Sequence, residues 1–370
     1  MGFRFEVAHD AAALQVHLAA WEALAARALE PNVFYEPWML LPAIDSYAGP
    51  QLRVVLAYDD SGLRGLFPFE LAAQFRGLPI HYLRLWKHIH CYLATPLVDR
   101  EHAPACLAAL LEWLARDPRG AGVVEWGLVG SDGPFADALM RVLDQTERRR
   151  FVSQSSERAC LRPRADAECF FDAALSAKRR KEYRRLERRL AELGPLEYAE
   201  LDSPARAAQW IAQFLQLEAS GWKGRRGSAL ASTDPNRSFF ERTALAAAQR
   251  GRLMMLALKL AGRPLAMKCN FLADGGAFTF KIAYDEAYAK YSPGLLLELE
   301  NIRCFHRSPA LSWMDSCAEA GHFMVNRLWL DRRSLMTLVT ASGRTTGELV
   351  VSSLPLLRWI ARSLRPEVPA

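Results

Sequence analysis

The stretch that decides the fold runs from Leu253 to Arg303, LMMLALKLAGRPLAMKCNFLADGGAFTFKIAYDEAYAKYSPGLLLELENIR. Three apolar runs, 253–260, 264–273 and 277–284, are separated by Ala261-Gly262-Arg263 and Asp274-Gly275-Gly276. Both triplets are rich in turn formers, so the pattern predicts an antiparallel three-stranded meander. The strand pattern then gives way to Ser292-Pro293-Gly294 and an apolar helix. Serine caps helices, proline fits a first turn because its missing N–H has no partner there, and glycine lets a ligand approach the backbone. Two readings stay open: an ordinary capped helix, or a helix N-terminus whose N–H groups and dipole hold a phosphate.

Working outward, LEYAE (196–200) reads as a strand, 204–219 and 236–250 as helices, LSWMD (311–315) as a strand, 326–341 as further β pattern, and 346–364 as a closing helix. The first half shows the same order. Phe3, Phe5 and Val7 alternate like a strand, and helices are expected over 11–29 and after Pro37. Strands follow at 52–58, 63–70 and 79–86, then a helix at 101–116, a strand at 123–129, a helix at 134–148 and strands at 150–154 and 158–162. This repetition predicts an α+β protein of two tandem domains of similar topology, 1–165 and 166–370, each a mixed, mostly antiparallel sheet flanked by helices.

Composition narrows the functional classes. The 370 residues are 51% hydrophobic and 24% charged, the balance of a globular chain with a sizeable core. No apolar run approaches the ~20 residues of a membrane span, and MGFRFEVAHD lacks the layout of a signal peptide, so the expected location is the cytoplasm. Seven scattered cysteines form no Cys-x-x-Cys pair, which points to reduced thiols. His81, His88, His90 and Cys91 match no zinc spacing, so no metal is expected.

The charge is uneven. KRRKEYRRLERRL (178–190) is an amphipathic helix with Tyr183, Leu186, Leu190 and Leu193 on one face and a cationic outer side. It reads either as a solvated face or as a contact for phosphates of a nucleotide, an RNA or an anionic membrane, without the interleaved aromatics of sequence-specific nucleic-acid recognition. GWKGRRGSAL (221–230) reads as a loop, either an exposed turn or a flap over a donor's phosphates with Lys223 and Arg225 as charge partners and Trp222 as apolar wall. Beside the Ser-Pro-Gly turn stand Lys281, Tyr284, Asp285, Tyr288 and Tyr291, a cation, a carboxylate and phenols in one small space. Asp315, at the exit of a buried strand, is either a base for an acceptor or a structural partner of Arg327 or Arg332. No Gly-x-Ser-x-Gly or Cys/His nucleophile pattern is present.

Lys281-Ile282-Ala283-Tyr284-Asp285-Glu286, Tyr291-Ser292-Pro293-Gly294, Trp222-Lys223-Gly224 and Asn326-Arg327-Leu328-Trp329 resemble the GNAT-like acetyltransferases of the CelD/BioF2-like branch, which is related to the tandem-GNAT FemAB transferases. The resemblance covers most of the chain and is strongest from about 170 to 335. It implies a meander-to-helix junction that holds the pyrophosphate of coenzyme A, with acetyl-CoA or another acyl-CoA as co-substrate and a small-molecule or saccharide amine or hydroxyl as acceptor. In that frame Ser292 and Gly294 hold the donor, with Trp222, Lys223 and Arg225 over it. A strand N–H or Lys281 polarises the thioester, Asp285 or Asp315 is the base, and Tyr284 or Tyr291 is the acid. Tyr-Ser-Pro-Gly departs from the usual phosphate loop, which is richer in glycine and basic residues, and in the first domain KHIHCYLATPLV (87–98) gives no equivalent turn. The alternatives are a FemAB-type transferase that takes its donor from charged tRNA, and an inactive GNAT-like scaffold.

Overall fold

The computed structural model describes residues 2–117 and 121–363. The chain divides into two compact units: the first takes the residues up to Leu40, Ala48–Ser156 and those from Ser334 onward, the second Leu41–Tyr47 and Glu157–Arg333. In the first lie β1 (Arg4–Ala8), α1 (Ala11–Leu14), α2 (Leu18–Ala26), the start of α3 (Pro37–Tyr47), β2 (Leu52–Asp59), β3 (Gly62–Ala72), β4 (Tyr82–Leu85), β5 (Leu97–Val98), α4 (Ala103–Arg116), β6 (Val123–Gly130), α5 (Pro134–Gln145) and the first part of β7 (Arg150–Leu161). The second holds α6 (Ala167–Ala174), α7 (Ala177–Ala191), β8 (Leu196–Glu200), α8 (Ala207–Ser220), α9 (Trp222–Arg225), α10 (Asp234–Gln249), β9 (Leu253–Leu260), β10 (Arg263–Ala273), β11 (Gly276–Tyr284), α11 (Pro293–Arg307), β12 (Trp313–Asp315) and α12 (Phe323–Leu328). Strand β13 (Asp331–Ala341) and helix α13 (Thr345–Ser363) return to the first unit.

Both units build the same pattern. In the first, β1 to β4 run antiparallel and β4 pairs in parallel with β6; in the second, β8 to β11 run antiparallel and β11 pairs in parallel with β12. What completes each pattern is a strand from elsewhere in the chain. Residues 335–341 of β13 pair antiparallel with β6, and Cys160 and Leu161 of β7 pair antiparallel with Asp315 and Met314 of β12. A division at 165/166 therefore separates each sheet from its last strand, and the observed units follow the pairing instead.

Three local expectations are corrected. The two strands expected at 150–154 and 158–162 are one continuous β7. The start of the β pattern expected from 326 is the end of helix α12, with β13 beginning only at Asp331. Segment 221–230 is not an open loop, since Trp222–Arg225 form the short helix α9.

In the second unit, helices α8 and α10 pack on one face of the sheet and α11 on the other. The first face is aromatic: Phe280 of β11 stacks on Phe240 of α10 at 5.8 Å and meets Phe271 at 5.1 Å. Burying each such ring contributes roughly 1.5–3 kcal/mol. The α11 face carries Leu256, Leu258, Leu296, Leu297, Ile302 and Trp329.

Two irregularities at β11 shape the site. Its register with β10 slips between Cys269 and Asn270, so Phe280 is an extra residue, a bulge. The alternation restarts beyond it, which places Ile282 and Tyr284 toward α11. In addition, β11 pairs with β12 only over Gly276–Phe278 against Trp313–Asp315, so past Phe278 the two strands part. In the first unit, by contrast, β4 leads into an irregular passage containing only β5 before α4.

Candidate functional site

Where β11 leaves β12, a cavity of about 320 Å³ opens between the end of β11, the N-terminus of α11 and α12. Its walls are Tyr183 from α7, Ile282 and Tyr284 from β11, Ala289, Ser292 to Leu295, and Phe323, Met324, Arg327 and Leu328 from α12. Arg327 is the one cation among them and no carboxylate lines the space. The wall chemistry therefore suits an elongated, largely apolar ligand with an anionic group.

The turn at its mouth differs from an ordinary cap. Ser292 is left-handed, with φ of 53°, and its side chain makes no capping bond; the preceding 3-10 turn, Glu286–Tyr291, delivers the chain to it. The Ser292 carbonyl takes the N–H groups of both Leu295 and Leu296, at 3.0 and 3.1 Å. Pro293 has no N–H, so Gly294 carries the remaining amide of the first turn, at the positive end of a 15-residue helix. A Cβ on Gly294 would sit 3.4 Å from Tyr284 Cδ1 and 3.9 Å from Ile282 Cδ1, an ordinary contact that leaves anything larger to project into the cavity.

The edge of β11 adds donors. Asp285 N–H bonds to Leu265 C=O at 2.8 Å, so antiparallel alternation turns Lys281 and Ala283 toward β10, and the peptide groups of Ile282 and Tyr284 away from it. Consistent with this, the Ile282 carbonyl accepts from Lys223 Nζ at 3.1 Å, off the ladder.

Of the residues singled out by sequence, Tyr284, Ser292 and Gly294 line the cavity. Tyr284 also borders a smaller space of about 30 Å³ with Glu218, Trp222, Lys223 and Glu286. Lys281 lines neither space; burial, then the Lys223 charge, lower its pKa below lysine's ordinary value although Glu218 opposes the shift.

The remaining expected residues have structural partners. Asp285 caps the 3-10 turn by accepting from Ala287 N–H at 3.0 Å and pairs with Arg263 at 2.7 Å. Tyr291 is buried in the core with Lys290 over its ring. Asp315 is fully buried and held by Arg158 at 2.6 Å and Arg333 at 3.0 Å, and not by Arg327 or Arg332; it also accepts from Cys317 N–H. Burial alone pushes its carboxyl upward, yet the two guanidinium groups and that N–H more than offset this and leave the pKa below the usual carboxylate range. A carboxylate so held is a poor proton acceptor.

The Trp222 segment is also spoken for. Lys223 Nζ donates to Glu218 at 2.9 Å, Trp222 N–H donates to Glu286 at 2.6 Å, and Arg225 pairs with the same Glu286 at 2.6 Å. Gly224 is required by packing, because a Cβ there would fall 1.8 Å from the Ala219 carbonyl oxygen. Lys223 and Arg225 thus pin α9 to α8 and to the turn after β11 rather than covering the cavity. The basic helix is α7; Leu186 and Leu190 are buried, whereas Leu193 lies beyond it and is exposed.

Tyr183, Phe323, Met324 and Arg327 were not identified as walls from sequence. Reading 326–341 as β hid α12, although His322 as N-cap followed by apolar Met324, Val325 and Leu328 is a helical signal. Among the described residues no cluster of His, Cys, Asp and Glu is arranged to hold a metal ion, and no helix is long and apolar enough to cross a membrane.

Comparison with known proteins agrees with this geometry. Residues 177–322 match the family model described as acetyltransferase (GNAT) domain. Among curated proteins, none matches the sequence. In fold the chain is similar to FemX, at 10% identity and a TM-score of 0.55, covering 90% of this chain and 96% of that one. It is similar also to L-PGS from Bacillus licheniformis, at 13% identity and a TM-score of 0.53, covering 93% and 96%. A conserved protein of unknown function from Bacteroides thetaiotaomicron is similar at 13% identity and a TM-score of 0.55, covering 88% and 97%. The matched segment runs from α7 through β12 and holds the cavity walls from Tyr183 to Leu295, while the α12 walls lie just beyond its end; over residues 177–322 the chain matches a GNAT acetyltransferase domain.

Proposed function

We propose that this protein is a cytoplasmic acyltransferase that moves an acyl group, acetyl in the simplest case, from acyl-CoA to an amine or hydroxyl of a small-molecule or saccharide acceptor. The observation that carries the reading is the carboxylate-free cavity at the N-terminus of α11, where the Gly294 N–H, the helix dipole and Arg327 meet an apolar channel. Donor phosphates sit at that turn and the acyl arm runs toward the parted edge of β11. The N–H groups of Ile282 and Tyr284 face the thioester oxygen as negative charge builds there. Asp285 and Asp315 are both held by arginines, which leaves Lys281, its pKa lowered chiefly by burial, as the group offered for the acceptor's proton. Tyr284, which borders both spaces, returns a proton to the departing thiolate.

Two variants divide these roles. Gly294→Val is expected to weaken acetyl-CoA binding at least ~10-fold in isothermal titration while leaving the melting temperature within a few degrees, since its methyls enter the cavity. Unchanged affinity would make the turn a plain helix start. Tyr284→Phe is expected to lower kcat by roughly 10²-fold with donor KM little altered.

A second reading, with charged tRNA as donor, is supported by the exposed cations of α7 and by the fold likeness to FemX and L-PGS. Thermal shift separates the two: stabilisation by acyl-CoA favours the first, by charged tRNA alone the second.

A further inference from the structure

A group of buried polar side chains lies beneath the cavity and takes no part in the chemistry above. Glu298, on α11 one turn beyond Gly294, is 1% exposed. Its Oε2 accepts from Lys268 Nζ of β10 at 2.8 Å. Its Oε1 accepts from Trp329 Nε1 at 3.1 Å and from Asn301 Nδ2 at 3.1 Å. Asn301 in turn accepts from Asn270 Nδ2 at 2.9 Å and touches Met314 Sδ of β12 at 3.4 Å. A buried carboxylate with three donors is costly to assemble and costly to break, so it fixes the elements that supply those donors.

Two of those elements, α11 and the end of α12, carry facing walls of the cavity. Trp329 is the residue that ends α12, its own N–H closing on Val325 C=O, and its indole is 1% exposed. Helix α12 has only six residues and follows a strand that pairs with β11 over three. No sheet ladder sets its distance from α11; Val325 and Leu328 pack in the core shared with α11, while Phe323 and Arg327 are exposed and gain little from packing. The Trp329 to Glu298 bond is the polar tie between the residue closing α12 and the helix whose N-terminus forms the facing wall.

We infer that Glu298 and Trp329 are positioning residues that hold α12 at the spacing from α11 needed to grip the donor, with Lys268 and Asn301 fixing the Glu298 carboxylate. The inference rests on the proposed donor site for its functional half. Its structural half, the placement of α12, stands independently.

Trp329→Phe removes the N–H and leaves a smaller aromatic ring in the buried site, so it is read beside the Glu298 variants, which leave the indole intact. Two measurements on the full chain test the assignment. In hydrogen exchange, amides of 323–328 are expected to exchange at least ~5-fold faster in the variant while those of 296–305 hold their rates, because one hydrogen bond to a charged group is lost. In titration with acetyl-CoA, Kd rises about 5- to 10-fold, while the smaller buried ring lowers the melting temperature by about a few degrees. Glu298→Gln, which keeps an acceptor oxygen for Trp329, gives smaller changes in both than Glu298→Leu. Unchanged exchange across 323–328 overturns the inference, as does an equal acceleration across α11, which would mark a general loss of core stability. If the wild-type chain binds no acetyl-CoA while α12 still loosens in Trp329→Phe, the positioning tie stands and the choice of donor is what fails.

Discussion

Burial bears on Lys281 and Asp315 with opposite consequences for stability. Lys281 has its pKa lowered mainly by burial and by Lys223. The unfolded chain, with an ordinary lysine near pH 10.4, therefore binds more protons than the folded chain between the two pKa values, and this residue's contribution to stability improves as pH rises. Lys281→Met is expected to be more stable than the wild type in urea unfolding at pH 7, with the advantage shrinking as pH approaches 10.4; a constant difference would mean the ammonium is not desolvated. Asp315 has the opposite sign. Its folded pKa is depressed, so its contribution is full above the unfolded carboxylate value near pH 4 and is lost as pH falls through the folded one. Arg158→Met removes one of its two arginines and is expected to cost about 3–5 kcal/mol at pH 7, less in acid. In the sequence Asp315 was legible as a buried carboxylate that was either base or ion pair. Its partners were not, because Arg158 and Arg333 reach it from strands 157 and 18 residues away in the chain.

Among elements, β11 and α11 were legible because their signals are local: apolar runs between glycine turns, then Ser-Pro-Gly before an apolar helix. The bulge at Phe280 was not, since it arises only from register with β10, and it decides which side chains face the cavity. Helix α12 was misread because six residues carry too little periodicity to outvote the β pattern that follows. The exchanged strands were recognised as strands but not as partners. Pattern tells a strand from a helix and says little about which edge it joins. Ending the chain at Arg333 is therefore expected to deprive β6 of its antiparallel neighbour and to unfold the first unit, seen as a lost transition in calorimetry. Retention of both transitions would contradict the pairing.

For the whole molecule, one sheet plan is used twice, with a difference at the junction that follows the last meander strand. In the second unit the last meander strand passes through a 3-10 turn directly into a long helix, leaving a cavity with an amide, a helix dipole and an arginine around apolar walls. In the first unit the equivalent strand leads into irregular chain. The proposed acyl-donor site is thus one per chain, at the start of α11. The most direct test is titration calorimetry of the full-length protein with acetyl-CoA, run in parallel on Gly294→Val. The account predicts one site per chain for the wild type and at least ~10-fold weaker binding for the variant at an unchanged melting temperature. Equal affinity for the two proteins, or a stoichiometry of two, would contradict it.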